Sequence, residues 1–279
     1  MIKRKNAVLA MAAVGLMAAA LAPAAMAEVT EAEKAANAEA MATGKLIYQY
    51  DQAAWHSTDA LLALIKPADY PDLRGWVVEP HDDGKLLVTY FGQRNGPRYA
   101  IVRYVMQGAA VVEGGLVPKG EDAALSPLAN RLVDARDAAT ERFVKEKLGF
   151  CTEGSANSVI LPPDGNGRIR AYMMSPSVTA GVFPLGGHYR FDIDAAGKVA
   201  SWRPFLKSCM MIDSRPDEEM KEKAFFVVSH LLDPQPTEIH YFVRYNVPID
   251  MGIIMADEDI WLLGTDGFTN PKGSEIGMP

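Results

Sequence analysis

The chain lacks the short motifs that mark common chemistries. It has no Gly-x-x-x-x-Gly-Lys-Ser/Thr phosphate loop and no Gly-x-Gly-x-x-Gly turn, so neither familiar nucleotide cradle is present. It has no His-Glu-x-x-His, Cys-x-x-Cys, Gly-x-Ser-x-Gly or Ser-x-x-Lys. These absences argue against common zinc peptidases, thioredoxin-like redox proteins and α/β-hydrolases. An enzyme whose residues converge from distant positions stays open, so the sequence alone leaves enzymatic activity undecided. No internal repeat accompanies the turns, which argues against a propeller.

Positive charge is also scarce. The chain carries 28 basic and 35 acidic residues, a net charge of −7. Three bases and no acids fall in the first 27 residues, so the remainder carries 25 against 35, a net of −10. The bases are scattered, with no run of five or six. A chain this acidic has no electrostatic footprint for nucleic acid or anionic lipid. Beyond residue 27 no apolar run approaches membrane-spanning length, so no stable membrane anchor is expected.

What is present begins with a leader. Lys3, Arg4 and Lys5 precede the apolar run "AVLAMAAVGLMAAALA", and "AMA" follows at Ala25 to Ala27. This is the pattern of a cleaved signal peptide over residues 1–27, so the mature chain is expected to start at Glu28 and to be periplasmic or secreted. No Cys stands after the cleavage site and no twin arginine precedes the apolar run. The general export route is therefore expected, without a lipid anchor. The only two cysteines are Cys151 and Cys209. In an exported chain their ordinary fate is one disulfide. The alternative is a nucleophilic or metal-binding thiol, which an oxidising compartment disfavours.

The 252 residues from Glu28 to Pro279 suit one large domain or two small ones. One domain is the expectation, with a boundary near residue 150 as the alternative. Glu28 to Ala42 reads as a polar helix or a loose arm, and apolar spacing predicts a helix from Leu46 to Ile65 that stops before Pro67. A second helix follows from the stripe Leu125, Leu128, Leu132, Ala135, Ala139, Phe143 and Val144. Asp83-Gly84 marks a hairpin turn, and "RYAIVRYVM" the next strand. Further hairpins are expected to turn at 164–167, at 194–197, in the proline loop of "SHLLDPQPTEIH", and near Asp257. The Gly- and Pro-rich tail reads as irregular. The predicted fold is α+β: a curved, mostly antiparallel sheet built from successive hairpins and packed by two main helices.

Three constellations offer chemistry. Asp51, Trp55, His56 and Asp59 lie on the first helix, where His56 and Asp59 are spaced to hydrogen-bond. A carboxylate–imidazole pair beside an indole makes a ligand corner; a solvated helix face is the ordinary reading. In "GGHYRFDID", Tyr189, Phe191 and Ile193 alternate with His188, Arg190, Asp192 and Asp194. The polar set suits an anionic or sugar-like ligand, or simply the wet side of a half-buried strand. Gly186-Gly187 just before it permits close backbone approach. In the third stretch, a closed hairpin would set His230 opposite His240 with Cβ atoms about 5 Å apart. His188, His230 and His240 are the candidate metal ligands, with zinc the implied ion and Asp233 or Glu238 to complete the site. Histidines that merely bond the loop backbone are the alternative.

The strings "PLGGHYRFDIDAAGKV", "SCM", "HLLDPQPTEIHYFV" and "DQAAWHSTDAL" together resemble a group of exported bacterial proteins of unassigned function. That resemblance implies one continuous domain and an envelope location; it implies no activity. Two functions are therefore carried forward. One is an exported small-ligand binder or interaction module with an envelope protein partner. The other is a metal-dependent hydrolase built on the three histidines, with Asp233 or Glu238 as general base.

Overall fold

The computed structural model describes residues 29–118, 123–154, 156–215, 225–270 and 276–277. The expected leader lies outside the described residues. Among them, three helices, α1 (Glu31–Leu64), α2 (Pro127–Lys145) and α3 (Glu238–Asn246), pack with strands in an α+β fold.

Helix α1 opens on a capping box. Thr30 Oγ1 accepts from the Glu33 N–H at 3.2 Å, and the Glu33 carboxylate accepts from the Thr30 N–H at 2.7 Å. The Ala- and Glu-rich segment is therefore no loose arm; it is the start of one long helix that runs through Gly44 and ends at Leu64. Gly44 is not a boundary because α3 crosses α1 there. A Cβ on Gly44 would lie 2.6 Å from the Glu238 carbonyl oxygen and 2.6 Å from Tyr241 Cβ. Buried Asn37 on α1 extends the contact by accepting from the Tyr241 hydroxyl at 2.9 Å.

Strands β1 (Leu73–Pro80), β2 (Leu86–Gly92), β3 (Tyr99–Gln107) and β4 (Ala110–Leu116) form an antiparallel meander, with the expected turn at Asp83-Gly84. Strands β5 (Asn157–Ile160), β6 (Ile169–Met174), β7 (Val182–Pro184), β8 (Tyr189–Ile193), β9 (Val199–Pro204) and β10 (Met211–Asp213) follow. Of these, β5-β6-β8-β9 make a second antiparallel sheet, while β7 pairs with β10 alone. The last sheet runs β11 (Phe225–His230), β12 (Asp250–Met255), β13 (Ile260–Leu263), β14 (Gly267–Thr269) and β15 (Ile276–Gly277) in chain order. The strands thus divide among four sheets within the described residues.

Both four-stranded sheets are covered on two faces. Helix α2 sits on one side, where Leu132, Val133 and Ala139 meet Val77, Phe91, Phe191 and Ile193. Ile47, Ala53 and Leu61 of α1 and Tyr241 of α3 belong to the larger core with Val88, Tyr90, Tyr172 and Met174. Alternation along β1 and β6 feeds the two cores separately, with Val77, Ile169, Ala171 and Met173 on the α2 side and Val78, Tyr172 and Met174 on the other.

Two expectations are corrected. "SHLLDPQPTEIH" is not a hairpin. The proline loop leads from β11 into α3, and β11 pairs in parallel with β12, so the unit is strand–helix–strand. Its apolar and polar residues repeat at a spacing that fits either element over so short a run. Thr237 begins the helix: it supplies the N-cap that the hairpin reading leaves unused. The tail is also less irregular than expected, since Phe268 pairs with both Leu263 and Ile276.

Cys151 and Cys209 form a disulfide with Cα atoms 5.3 Å apart. It closes 58 residues of chain, a loop worth about 4 kcal/mol in the chain-entropy account. Gly186-Gly187 does allow close approach: a Cβ on Gly186 would strike the Ser208 backbone, and one on Gly187 would strike Ser175 and Cys151.

The crossing at Gly44 gives a direct test. Gly44→Ala improves local helix propensity yet drives a methyl into the α3 backbone. It is expected to destabilise the protein by about 1–3 kcal/mol in urea unfolding. A stability gain, as an open helix site would give, would contradict the contact.

Candidate functional site: a cleft between two helices

A cleft of about 750 Å³ lies where α1 and α3 face the chain from Ser175 to His188. Helix α1 presents Asp51, Ala54, Trp55 and Thr58, and α3 presents Phe242, Val243 and Asn246. Trp76 of β1 and Phe183 of β7 add aromatic surface, and Asn157 of β5 adds an amide. The i, i+3, i+4, i+7 spacing of the α1 residues is what places one stripe of that helix on the cleft.

The wall from Ser175 to His188 is tied down rather than free. Ser175 Oγ accepts from the Cys151 N–H at 2.8 Å and donates to the Gly187 carbonyl at 3.0 Å. The disulfide holds Cys151 and Cys209 beside the same glycine pair. His188 Nε2 donates to the Pro184 carbonyl at 2.9 Å. That bond puts the proton on Nε2 and leaves Nδ1 a bare acceptor, buried and without a partner. Burial holds His188 down at about 4, so it is neutral at pH 7.

Asp51 is the one carboxyl among the described lining residues of the cleft, and its pKa is raised above the ordinary carboxylate value. Asn157 Nδ2 donates to one carboxylate oxygen and Gln52 Nε2 to the other. Burial pushes its acidity towards the neutral form, while those two amide bonds and nearby His56 favour the ion. Trp55 remains 54% exposed at the rim, with His56 stacked on it at a ring-centroid distance of 5.3 Å.

The three sequence constellations are thus redistributed. Trp55 and His188 reach the cleft, and Asp51 joins them. His56 stacks on Trp55 and lies close enough to Asp51 to favour its ion, Asp59 is exposed, and the His56–Asp59 hydrogen bond that their spacing permits is not formed. Trp76, Phe183 and Asn246 went unnoticed as site residues, because each reads locally as an ordinary strand or helix residue.

Arg190, His230 and His240 belong elsewhere, in a polar network under the N-terminus of α3. Arg190 Nη1 and the Tyr172 hydroxyl both donate to Glu238, at 2.8 and 3.1 Å. Arg190 also pairs with Asp192. The polar face of β8 is therefore not a wet surface; it lies against α3, while Phe191 and Ile193 enter the α2 core as expected. Arg203 grips Asp233 with two hydrogen bonds of 2.6 and 2.5 Å, and His230 Nε2 bonds Asp233 at 2.8 Å. Burial alone would raise Asp233, but His230 and Arg203 outweigh it and hold the carboxyl well below its usual range.

His230 and His240 do meet, with ring centroids 4.6 Å apart. Strand end and helix start bring them together, not a hairpin base. His240 Nδ1 accepts from the Thr237 N–H at 3.0 Å, completing the α3 capping box. Burial first, then the nearby His230, lowers His240 to about 3. Among the described residues no three His, Cys, Asp or Glu side chains are placed to hold a metal ion. His188 instead packs edge-on against Phe242 at 6.4 Å. Asp233 and Glu238, the expected fourth ligands or bases, are already committed to arginines.

A scan against protein-family models finds no match, and a search of curated proteins finds none either.

The buried histidines set a pH dependence. His188 and His240 are depressed to about 4 and about 3, whereas unfolded histidine titrates near 6.5. From pH 6.5 downwards the unfolded chain binds the extra protons, so stability falls with pH. Asp233, held low, adds a loss only in stronger acid, and Asp51, raised, works in the opposite sense. Urea unfolding should show stability lower at pH 4.5 than at pH 7 by on the order of 3 kcal/mol. His188→Gln should flatten part of that drop; an unchanged slope would contradict a neutral buried His188.

Proposed function

We propose that the protein is an exported, non-catalytic binding protein that takes one small ligand in the α1–α3 cleft. The observation that carries this reading is the cleft itself. Its volume of about 750 Å³ falls in the range of small-molecule sites, and such sites combine apolar walls with a few placed polar groups. Trp55, Trp76, Phe183 and Phe242 supply the first; Asp51, Asn157 and His188 supply the second. The wall is pre-formed by the disulfide and by Ser175, which limits the ordering cost of binding.

Among the described lining residues no hydroxyl hydrogen-bonds a histidine or a carboxylate: Ser175 donates to Gly187 and accepts from Cys151, and Thr58 bonds Ala54 and Tyr90. Export is supported by the leader pattern and by the disulfide. No helix among the described residues is long and apolar enough to cross a membrane. The resemblance to exported bacterial proteins agrees with an envelope location.

Two measurements test the proposal. Protein recovered from the bacterial periplasm or medium should begin at Glu28, read by intact mass; an uncleaved chain held in the cytoplasm would contradict export. Titration with the neutral dye N-phenyl-1-naphthylamine should give saturable, one-site binding. Trp55→Ala should weaken it roughly three- to tenfold, with thermal stability little changed because the indole is half exposed. Absence of dye binding, or binding indifferent to Trp55, would contradict the ligand site.

A further inference from the structure

The polar groups of the cleft are neutral amides, hydroxyls and an imidazole, with one exception. Asp51 is the only formally charged side chain among its described lining residues. Buried carboxylates are ordinarily paired with a cation. Asp51 has none: its hydrogen-bond donors are the neutral amides of Asn157 and Gln52. His56, one turn along α1, is stacked on Trp55 and makes no hydrogen bond to it. Arg244 on α3, and Arg190 and Arg203 near its start, are bound to Asp250, Glu238 and Asp233 instead.

A second observation points the same way. His188 lines the same cleft, with its Nε2–H given to Pro184 and its Nδ1 enclosed by the protein, so this part of the wall adds a neutral ring and no positive charge. Among its described lining residues the cleft therefore offers the Asp51 carboxyl and no cationic donor. An anionic ligand would find no counter-ion there. A positively charged ligand would supply the counter-ion that Asp51 lacks. Trp55 and Trp76 supply indole faces, the aromatic surfaces that attract cations most strongly.

We propose that the cleft is a receptor site for a small organic amine, held as its ammonium ion by Asp51 with its apolar body against Trp55 and Trp76. This rests on the ligand-binding reading above and names its ligand class. It also replaces the anionic or sugar-like ligand that the Arg190 stripe invited, since Arg190 does not line the cleft. The excess of acidic over basic residues favours the approach of a cation.

Three isosteric probes test the class: tryptamine, the neutral tryptophol and the anionic indole-3-propionate, titrated calorimetrically into the full mature chain. Salt of about 0.3 M screens the net charge of the protein. Tryptamine should bind roughly tenfold or more tighter than tryptophol, with indole-3-propionate weakest. Asp51→Asn, which keeps the shape and loses the charge, should bring tryptamine close to tryptophol. Equal or tighter binding of tryptophol by the wild-type chain would overturn the proposal, and that comparison stands even if the variant fails to fold. A preference for tryptamine that survives in a folded Asp51→Asn protein would overturn it too. If the neutral dye binds and the amine shows no advantage, the amine assignment fails and the ligand site remains. If neither dye nor indoles bind, both fail.

Discussion

Helix α1 and helix α3 touch backbone to backbone at Gly44, and the rest of the molecule is arranged around that contact. Without a side chain at position 44, α3 settles against α1 with Glu238 and Tyr241 on the glycine. Tyr241 then reaches Asn37 two turns before the crossing, and Tyr48 meets Tyr245 beyond it. Two turns beyond it Gln52 Nε2 still reaches Asn246 at 3.4 Å, and Asp51, Ala54 and Trp55 of α1 line the cleft together with Phe242 and Asn246 of α3. A glycine in mid-helix costs about 1 kcal/mol in propensity, which the close packing of two helices offsets.

The opposite wall is held by a different device. The segment from Ser175 to His188 carries only the three-residue strand β7, paired with β10. Here the Cys151–Cys209 bridge, Ser175 and two glycines bind it to the neighbouring chain. His188 ties its far end to Pro184. Covalent and hydrogen-bonded constraints thus hold this wall to the neighbouring chain. The arginine–carboxylate network under the start of α3 lies apart from the cleft and neutralises Glu238 and Asp233. Asp51 is the one carboxylate among the described lining residues, and its hydrogen-bond donors are neutral amides.

Much of this was legible from residues alone. The α+β class, four of the five expected strand-pairing regions and the disulfide follow from local signals: turn residues, two-residue alternation and two cysteines in a chain that opens on a leader pattern. What was not legible depends on contacts distant in sequence. The proline loop read as a hairpin because nine residues of "EIHYFVRYN" alternate as well as they spiral, and only packing against Gly44 decides between the two. That one misassignment turned a capping histidine, His240, into an expected metal ligand. Arg190 read as a ligand group because its strand alternates cleanly; α3, invisible as a helix, is what covers that face. Trp55 and His188 were picked out by chemistry, yet nothing near them in sequence links them, since 133 residues separate two positions that share one cleft.

The central claim is that the crossing of α1 and α3 frames a single pre-formed site. Hydrogen–deuterium exchange, with and without saturating N-phenyl-1-naphthylamine, tests it most directly. Protection is expected in the α1 segment from Asp51 to Thr58, in the wall from Ser175 to His188, and in α3 from Phe242 to Asn246. The sheet edge at β4, away from the cleft, should be unchanged. Protection concentrated at β4 or on the outer strands, with α1 and α3 unaffected, would contradict the account.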